Sequence, residues 1–359
     1  MSSALAGATF SVTLLMVACS TLVYGSLSDR YGRRPVLLSG LVLFVLGSAL
    51  SAIAGSPLAL ILGRILQAIG AGAPAALSRA IANDAYGPER LVKVLAYLTM
   101  AYTLGPMLSP SIGGALIDTF GWRSTFWFAL IAGALIALGA WRVLYETRPP
   151  AKPSSGMSGL FRGYANLLRQ PRFCGFILQT GFSTATFMAT ATAASFLMQN
   201  YLGRPASEFG LYFIMFPIGL FLGNFVASRM SGRVAVEIMV LSGSILMACA
   251  IAVQAALMLS GIIAPLVIFI PGLVLTFAQG IALPNAQSGA MRLAKSASGT
   301  AAGLGVFCQA FLGAVGAQTY ASLADGTPIP MVITVTACAL LTLLAGTVPY
   351  VLRPARDRG

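Results

Sequence analysis

Residues 24–40, YGSLSDRYGRRPVLLSG, gather Asp29, Arg30, Arg33 and Arg34 between two long apolar runs. A carboxylate in that setting can pair with a neighbouring guanidinium, or accept hydrogen bonds from the positively polarised N-terminus of another helix. Gly25 and Gly32 permit a tight turn and a close approach of backbones at the same place. A loop that only fixed membrane orientation would need arginines but neither Asp29 nor the glycines, so the cluster reads as a charge latch. Chemistry of bond making is not indicated. The chain has no histidine, and its nine acids (Asp29, Asp84, Glu89, Asp118, Glu146, Glu208, Glu237, Asp325 and Asp357) map to loops or to the ends of apolar runs. Cys19, Cys174, Cys249, Cys308 and Cys338 lack paired spacing, so neither a disulfide framework nor a zinc site is implied. No metal or cofactor is expected, and the chain does not read as an enzyme.

Other polar residues interrupt the apolar runs themselves. Arg64 lies several residues inside one, with Gln67 three positions on. A guanidinium at that depth is costly unless it faces water or has a partner, so Arg64 and Gln67 are candidates for coupling or for lining a cavity. Snorkelling to the interface is the simpler alternative. Gln179, Phe182, Gln279 and Asn285 are candidate substrate contacts, although hydrogen bonding between helices is the commoner use of an amide in a membrane. Pro217, Pro271 and Pro284 predict kinked helices.

The elements that must carry these residues are legible from composition. Hydrophobic side chains make up 57% of the chain and charged ones only 9%, with a mean hydropathy of +0.86. Apolar runs repeatedly reach the roughly 20 residues needed to cross a bilayer as helix, without the alternation of a membrane β-barrel. Spans are predicted at 5–26, 36–54, 57–80, 93–117, 122–145, 173–200, 209–229, 235–259, 262–288, 298–323 and 329–352. The first run has no cleavage-site signature, and a removable leader is not expected. The fold class is therefore an all-α polytopic membrane protein, with eleven spans in this chain.

A net charge of +13 and a pI near 10.0 would suit a nucleic-acid partner if the basic residues shared one soluble face. They sort by loop instead. Almost all fall on the side of the 26–35 loop, with Arg123 and Arg204 opposite and Arg64 within a span. Basic loops face the cytoplasm, which predicts a multi-pass inner-membrane protein with its C-terminus inside and no nucleic-acid partner. The polar stretch 146–171 divides the chain into an N-terminal bundle of five spans, 1–145, and a C-terminal bundle of six, 172–359. Within that cytoplasmic linker, GLFRGYANLLRQ predicts a short basic amphipathic helix on the membrane surface. A weak repeat, GSLSDRYGRR against GNFVASRMSGR, fits a chain made of two related halves.

The pattern G-x-x-x-D-R-x-G-R-R following an apolar helix resembles the signature loop between helices 2 and 3 of the major facilitator superfamily. GRILQAIGAGAPAA resembles that family's helix-4 motif, in which Arg64, Gln67 and Gly70 fall. GPMLSPSIGG is similar to its helix-5 antiporter motif, G-x-x-x-G-P-x-x-G-G. Gly105, Pro110, Gly113 and Gly114 match, Pro106 adds a second kink, and Ser109 stands where the motif has a glycine. With DTFGWRSTFWF and SASGTAAGLG, the chain is similar to drug:proton antiporters of the bicyclomycin-resistance type. The resemblance implies a major facilitator fold of two helical bundles and export of small amphipathic drugs against inward proton flow. It also implies a monomer whose partners are its substrate, protons and membrane lipids. In that frame Gly25, Asp29, Arg30, Gly32, Arg33 and Arg34 form a cytoplasmic gate, and the first span corresponds to helix 2 of twelve, with helix 1 and its acid absent. A metabolite exporter or uptake facilitator, and a non-transporting membrane sensor or assembly subunit, are the alternatives.

Overall fold

The computed structural model describes residues 3–147, 157–294 and 297–353. No β-strand occurs among them. Twelve helices are described: α1 Ser3–Tyr31, α2 Arg33–Ala52, α3 Pro57–Phe120, α4 Arg123–Val143, α5 Met157–Leu168, α6 Pro171–Phe196, α7 Ala206–Phe213, α8 Met215–Met230, α9 Val236–Leu259, α10 Pro265–Leu293, α11 Ser298–Leu323 and α12 Ile329–Val351. A π-helical turn, Leu197–Tyr201, extends α6. Each of the eleven apolar runs falls on described helix. Among the described residues, eight helical stretches are long and apolar enough to cross a membrane.

The sequence explains where the helices break. Gly87 adopts φ 68° and ψ 174° inside α3, a conformation that excludes a regular helix, so two of the predicted spans meet end to end there. α6 is rich in threonine, and its threonines are internally satisfied. Thr186 and Thr190 donate to the carbonyls of Phe182 and Thr186, at 2.8 and 2.7 Å. α5 forms within the linker as the amphipathic pattern predicts, while residues 148–156 of the linker lie outside the described residues.

The chain forms two compact units. One comprises 1–85, 108–165 and 294–307; the other comprises 86–107, 166–293 and 308–359. In the first, α2 crosses α3 with almost no side chain between the backbones. A Cβ on Gly47 would overlap the amide of Gln67, and one on Gly70 the amide of Phe44. Tyr24, Val36, Leu37, Leu41 and Leu77 fill the space beside that crossing. α4 turns Trp127, Phe128, Ile131, Leu135 and Ile136 outward, which is where a spanning helix meets acyl chains.

In the second unit α10 packs on α6, α8 and α9. An aromatic group joins α7, α8 and α10: Phe213 and Phe216 meet edge to face with centroids 5.0 Å apart, and Tyr212 stacks on Phe269 at 5.3 Å. Pro271 lies inside α10 and has no N–H to offer the carbonyl of Val267, four residues earlier. Gln254 of α9 supplies the missing donor. Its Nε2 lies 3.4 Å from the Val267 oxygen and 3.1 Å from that of Ile268. This amide, buried at 2% exposure, thus supplies the donor that the proline lacks. Gln254→Leu should strand that carbonyl in an apolar setting and lower stability by about 1–3 kcal/mol. A thermal melt of the detergent-solubilised protein reads the change, and an unaltered midpoint would remove this role from Gln254.

Candidate functional site

The charged turn begins where α1 ends. Gly32 carries φ 96°, a left-handed conformation that lets α2 start at once. The first amides of α2 need acceptors. Glu146, just past α4, provides them: the N–H groups of Arg33 and Arg34 donate to its two carboxylate oxygens at 2.8 and 3.1 Å. A Cβ on residue 32 would sit 2.6 Å from one of those oxygens, so Gly32 is required by both the turn and the cap.

The Arg33 side chain points back along α1 and is completely buried. Its Nη1 lies 2.9 Å from Asp29 Oδ1 and 2.6 Å from Ser28 Oγ; its Nε donates to Asp84 Oδ2 at 2.8 Å; its Nη2 donates to Ser298 Oγ at 2.8 Å. Ser298 in turn donates to Asp84 Oδ1 at 3.1 Å. One guanidinium therefore joins α1, α3 and the start of α11 through its planar fork of donors. Arg34 instead donates to the carbonyl of Trp141 at 2.7 Å, and the Arg30 guanidinium lies over the Tyr31 ring at 5.3 Å.

Asp29 does for α11 what a capping side chain usually does from the helix's own first residue. Ala297, which precedes Ser298, has no oxygen on its side chain. Asp29 Oδ1 accepts from the Gly299 amide at 3.1 Å, and Oδ2 accepts from the Thr300 amide at 2.8 Å and the Thr300 hydroxyl at 2.7 Å. Charge and hydrogen bonding act together here, because a carboxylate is favoured at the positive end of the helix dipole. The contact needs close backbones. A Cβ on Gly25 would collide with the Gly299 carbonyl, and one on Gly303 with the carbonyl of Thr21.

Arg64 finds a neutral partner on its own helix. Its Nη1 donates to Gln67 Oε1 at 2.8 Å, Gln67 Nε2 donates to Ser48 Oγ of α2 at 2.8 Å, and the guanidinium lies 5.7 Å from the Phe126 ring centre. Gln67 is thus a relay from Arg64 into the α2 crossing. Gly105 and Gly113 lie on helix in the second half of α3, and a Cβ on either would meet no described atom within 4 Å. Pro106, Ser109, Pro110 and Gly114 share that helix.

Of the amides in the other unit, Gln179 of α6 donates to Ser244 Oγ of α9 at 3.2 Å beside Gly346 of α12. Asn285 donates to the Ile281 carbonyl of its own helix at 2.8 Å, and Gln279 is buried on the same helix. Phe182 is half-buried on α6. These four residues occupy α6 and α10, which pack against each other. The acids that complete the turn, Asp84 and Glu146, were visible in the sequence only as loop or span-end carboxylates. Their partners lie 51 and 113 residues away, a separation that leaves no mark in local spacing.

A family model for the Major Facilitator Superfamily matches residues 1–317. The chain belongs to this superfamily. As a member of the Major Facilitator Superfamily it is a multi-pass membrane transporter. It is 26% identical over 339 residues to the bicyclomycin resistance protein homolog of Haemophilus influenzae, covering 92% of this chain and 83% of that one. Over 296 residues it is 28% identical to multidrug resistance protein D of Escherichia coli, covering 81% and 73%. Among solved structures, a proton:xylose symporter superposes with a TM-score of 0.76 at 15% identity, over 99% of this chain and 88% of the other. The human organic anion transporter MFSD10 gives 0.74 at 22%, over 95% and 82%. At those identities the structural likeness establishes the superfamily fold.

Proposed function

We propose that this superfamily member exports small amphipathic drugs by alternating access, driven by inward proton flow, and that Asp29, Arg33 and Asp84 form its cytoplasmic latch. The observation that carries the latch is the Asp29 carboxylate on the amides of Gly299 and Thr300. It is a charge-assisted, directional contact between α1 and α11. A transporter needs such a contact on one side so that the path can open on the other. The bicyclomycin and multidrug resistance relatives support drugs as the cargo, and the excess of basic residues on the side of the 26–35 loop supports a cytoplasmic position for the latch. Arg64, held by Gln67, is the embedded charge through which substrate or proton binding is coupled. Gly105, Pro106, Ser109, Pro110, Gly113 and Gly114 form the helix that prevents leak. Gln179, Phe182, Gln279 and Asn285 contribute to the drug path, and the working unit is a monomer.

Asp29→Asn keeps the shape of the side chain and removes its charge. Drug accumulation in inverted vesicles should then fall roughly tenfold, the equivalent of about 1.4 kcal/mol, with insertion unchanged. Undiminished accumulation would reject the latch. Imposing and then collapsing a pH gradient tests the driving force separately, and equal flux under both conditions would reject antiport.

A further inference from the structure

The linker helix α5 is fastened to the latch. Tyr164, near the middle of α5, donates its phenolic O–H to the carbonyl of Leu22 on α1 and accepts a hydrogen bond from Ser26 Oγ at 2.8 Å. Ser26 is buried at 4% exposure. It immediately follows Gly25, whose Cα faces the Gly299 carbonyl, and precedes Asp29 by three residues. The two bonds therefore grip the one turn of α1 that both approaches and caps α11.

Ser26 can reach the Leu22 carbonyl of its own helix at 3.3 Å, so this oxygen is an acceptor shared between α1 and the linker. A surface helix held only by its apolar face could slide along the membrane. A hydroxyl bonded at two points of another helix fixes both register and rotation. Burial pushes the Tyr164 phenol above its ordinary value.

We infer that α5 is a strap on the cytoplasmic latch, in which Tyr164 positions the Gly25–Asp29 turn of α1 for capping α11 and so biases the transporter towards its latched state. The inference rests on the latch reading above. Tyr164 acts through α1 and is a positioning residue. Its phenol can be removed without touching any group of the latch itself.

Hydrogen exchange on the full chain in lipid nanodiscs tests the strap, read on peptides covering 297–304 and 20–31. Tyr164→Phe keeps the ring and deletes both bonds. The amides of Gly299 and Thr300 should then exchange roughly fivefold faster, the size that one net hydrogen bond supports, with α9 and α10 unaffected. Ser26→Ala, which removes one of the two bonds, should shift the same amides in the same direction by less, and it supplies the measurement if the tyrosine variant does not fold. Asp29→Asn should accelerate them on its own, and adding Tyr164→Phe to it should change nothing further. Acceleration by Asp29→Asn with none from Tyr164→Phe or Ser26→Ala overturns the strap and leaves the latch standing. The same holds if Tyr164→Phe speeds exchange equally in both backgrounds, since it would then act apart from Asp29. No acceleration from Asp29→Asn overturns the latch, and the strap with it.

Discussion

Arg33→Ala should abolish transport and destabilise the protein by about 3–5 kcal/mol, the range measured when one partner of a buried ion pair is removed. Its side chain has no solvent exposure, while the Asp29 and Asp84 carboxylates beside it retain only 14% and 13%. Truncation leaves two carboxylates close together in a nearly dry setting, and it also removes one hydrogen-bond partner from each of the Ser28 and Ser298 hydroxyls. Arg33→Lys should be almost as damaging to transport, because one ammonium cannot present donors along the directions of Nε, Nη1 and Nη2 at once. Removing charge from both sides should be milder than removing it from one. The pair Arg33→Met with Asp84→Leu is therefore expected to melt above Arg33→Ala, since unpaired charge is the larger penalty. Arg34→Ala, at a partly exposed site whose one described side-chain bond is to the Trp141 carbonyl, should cost about 1 kcal/mol or less. Thermal melts in detergent, with accumulation in inverted vesicles, read the whole series. A single alanine variant at Arg33 that melts with the parent would refute this account of the turn.

Much of this turn was legible because its chemistry is local. The spacing of Gly25, Asp29, Gly32 and Arg33 is that of one helix end running into the next, and the carboxylate could already be read as an acceptor for a helix N-terminus. The spans were legible for the reason that membrane helices usually are: about 20 apolar residues must satisfy their backbone internally. Partners were not legible. Nothing near Asp29 in sequence indicates Thr300, 271 residues on, and nothing near Arg33 indicates that Glu146 would cap its amide. Gln254 stands in the sequence as an amide inside an apolar run, and its side chain serves a carbonyl that a proline on the next helix leaves without its donor. The sequence shows the proline and the glutamine, but not that two helices put them side by side. Arg64 has no carboxylate near it in the sequence, and the neutral Gln67 one turn away meets it.

Glycine substitutions should separate the latch from the antiporter motif. Gly25→Val is expected to reduce transport about as severely as loss of Arg33, even though every charged group remains. At this position even the first carbon of a side chain would overlap the Gly299 carbonyl, and Gly303 Cα would lie 3.2 Å away. Backbone cannot rotate aside as a flexible side chain can, so α1 and α11 must separate. Asp29 would then no longer reach the Gly299 and Thr300 amides. Overpacking of this kind costs about 1–3 kcal/mol, and if it falls wholly on the latched state that state becomes roughly 5- to 150-fold less populated. Gly105→Ala makes the contrast, since its Cβ would enter space with no described atom within 4 Å. It should leave the melting temperature unchanged or slightly raised, alanine being favoured over glycine in a helix by about 1 kcal/mol. Any fall in transport at Gly105 must then come from a packing that forms later in the cycle. Vesicle flux with parallel melts distinguishes the two sites: impaired melting and flux at residue 25, and normal melting at residue 105 whatever its flux. A Gly25→Val protein that transports normally would show that α1 and α11 need not approach to this distance, and the latch would lose its physical basis.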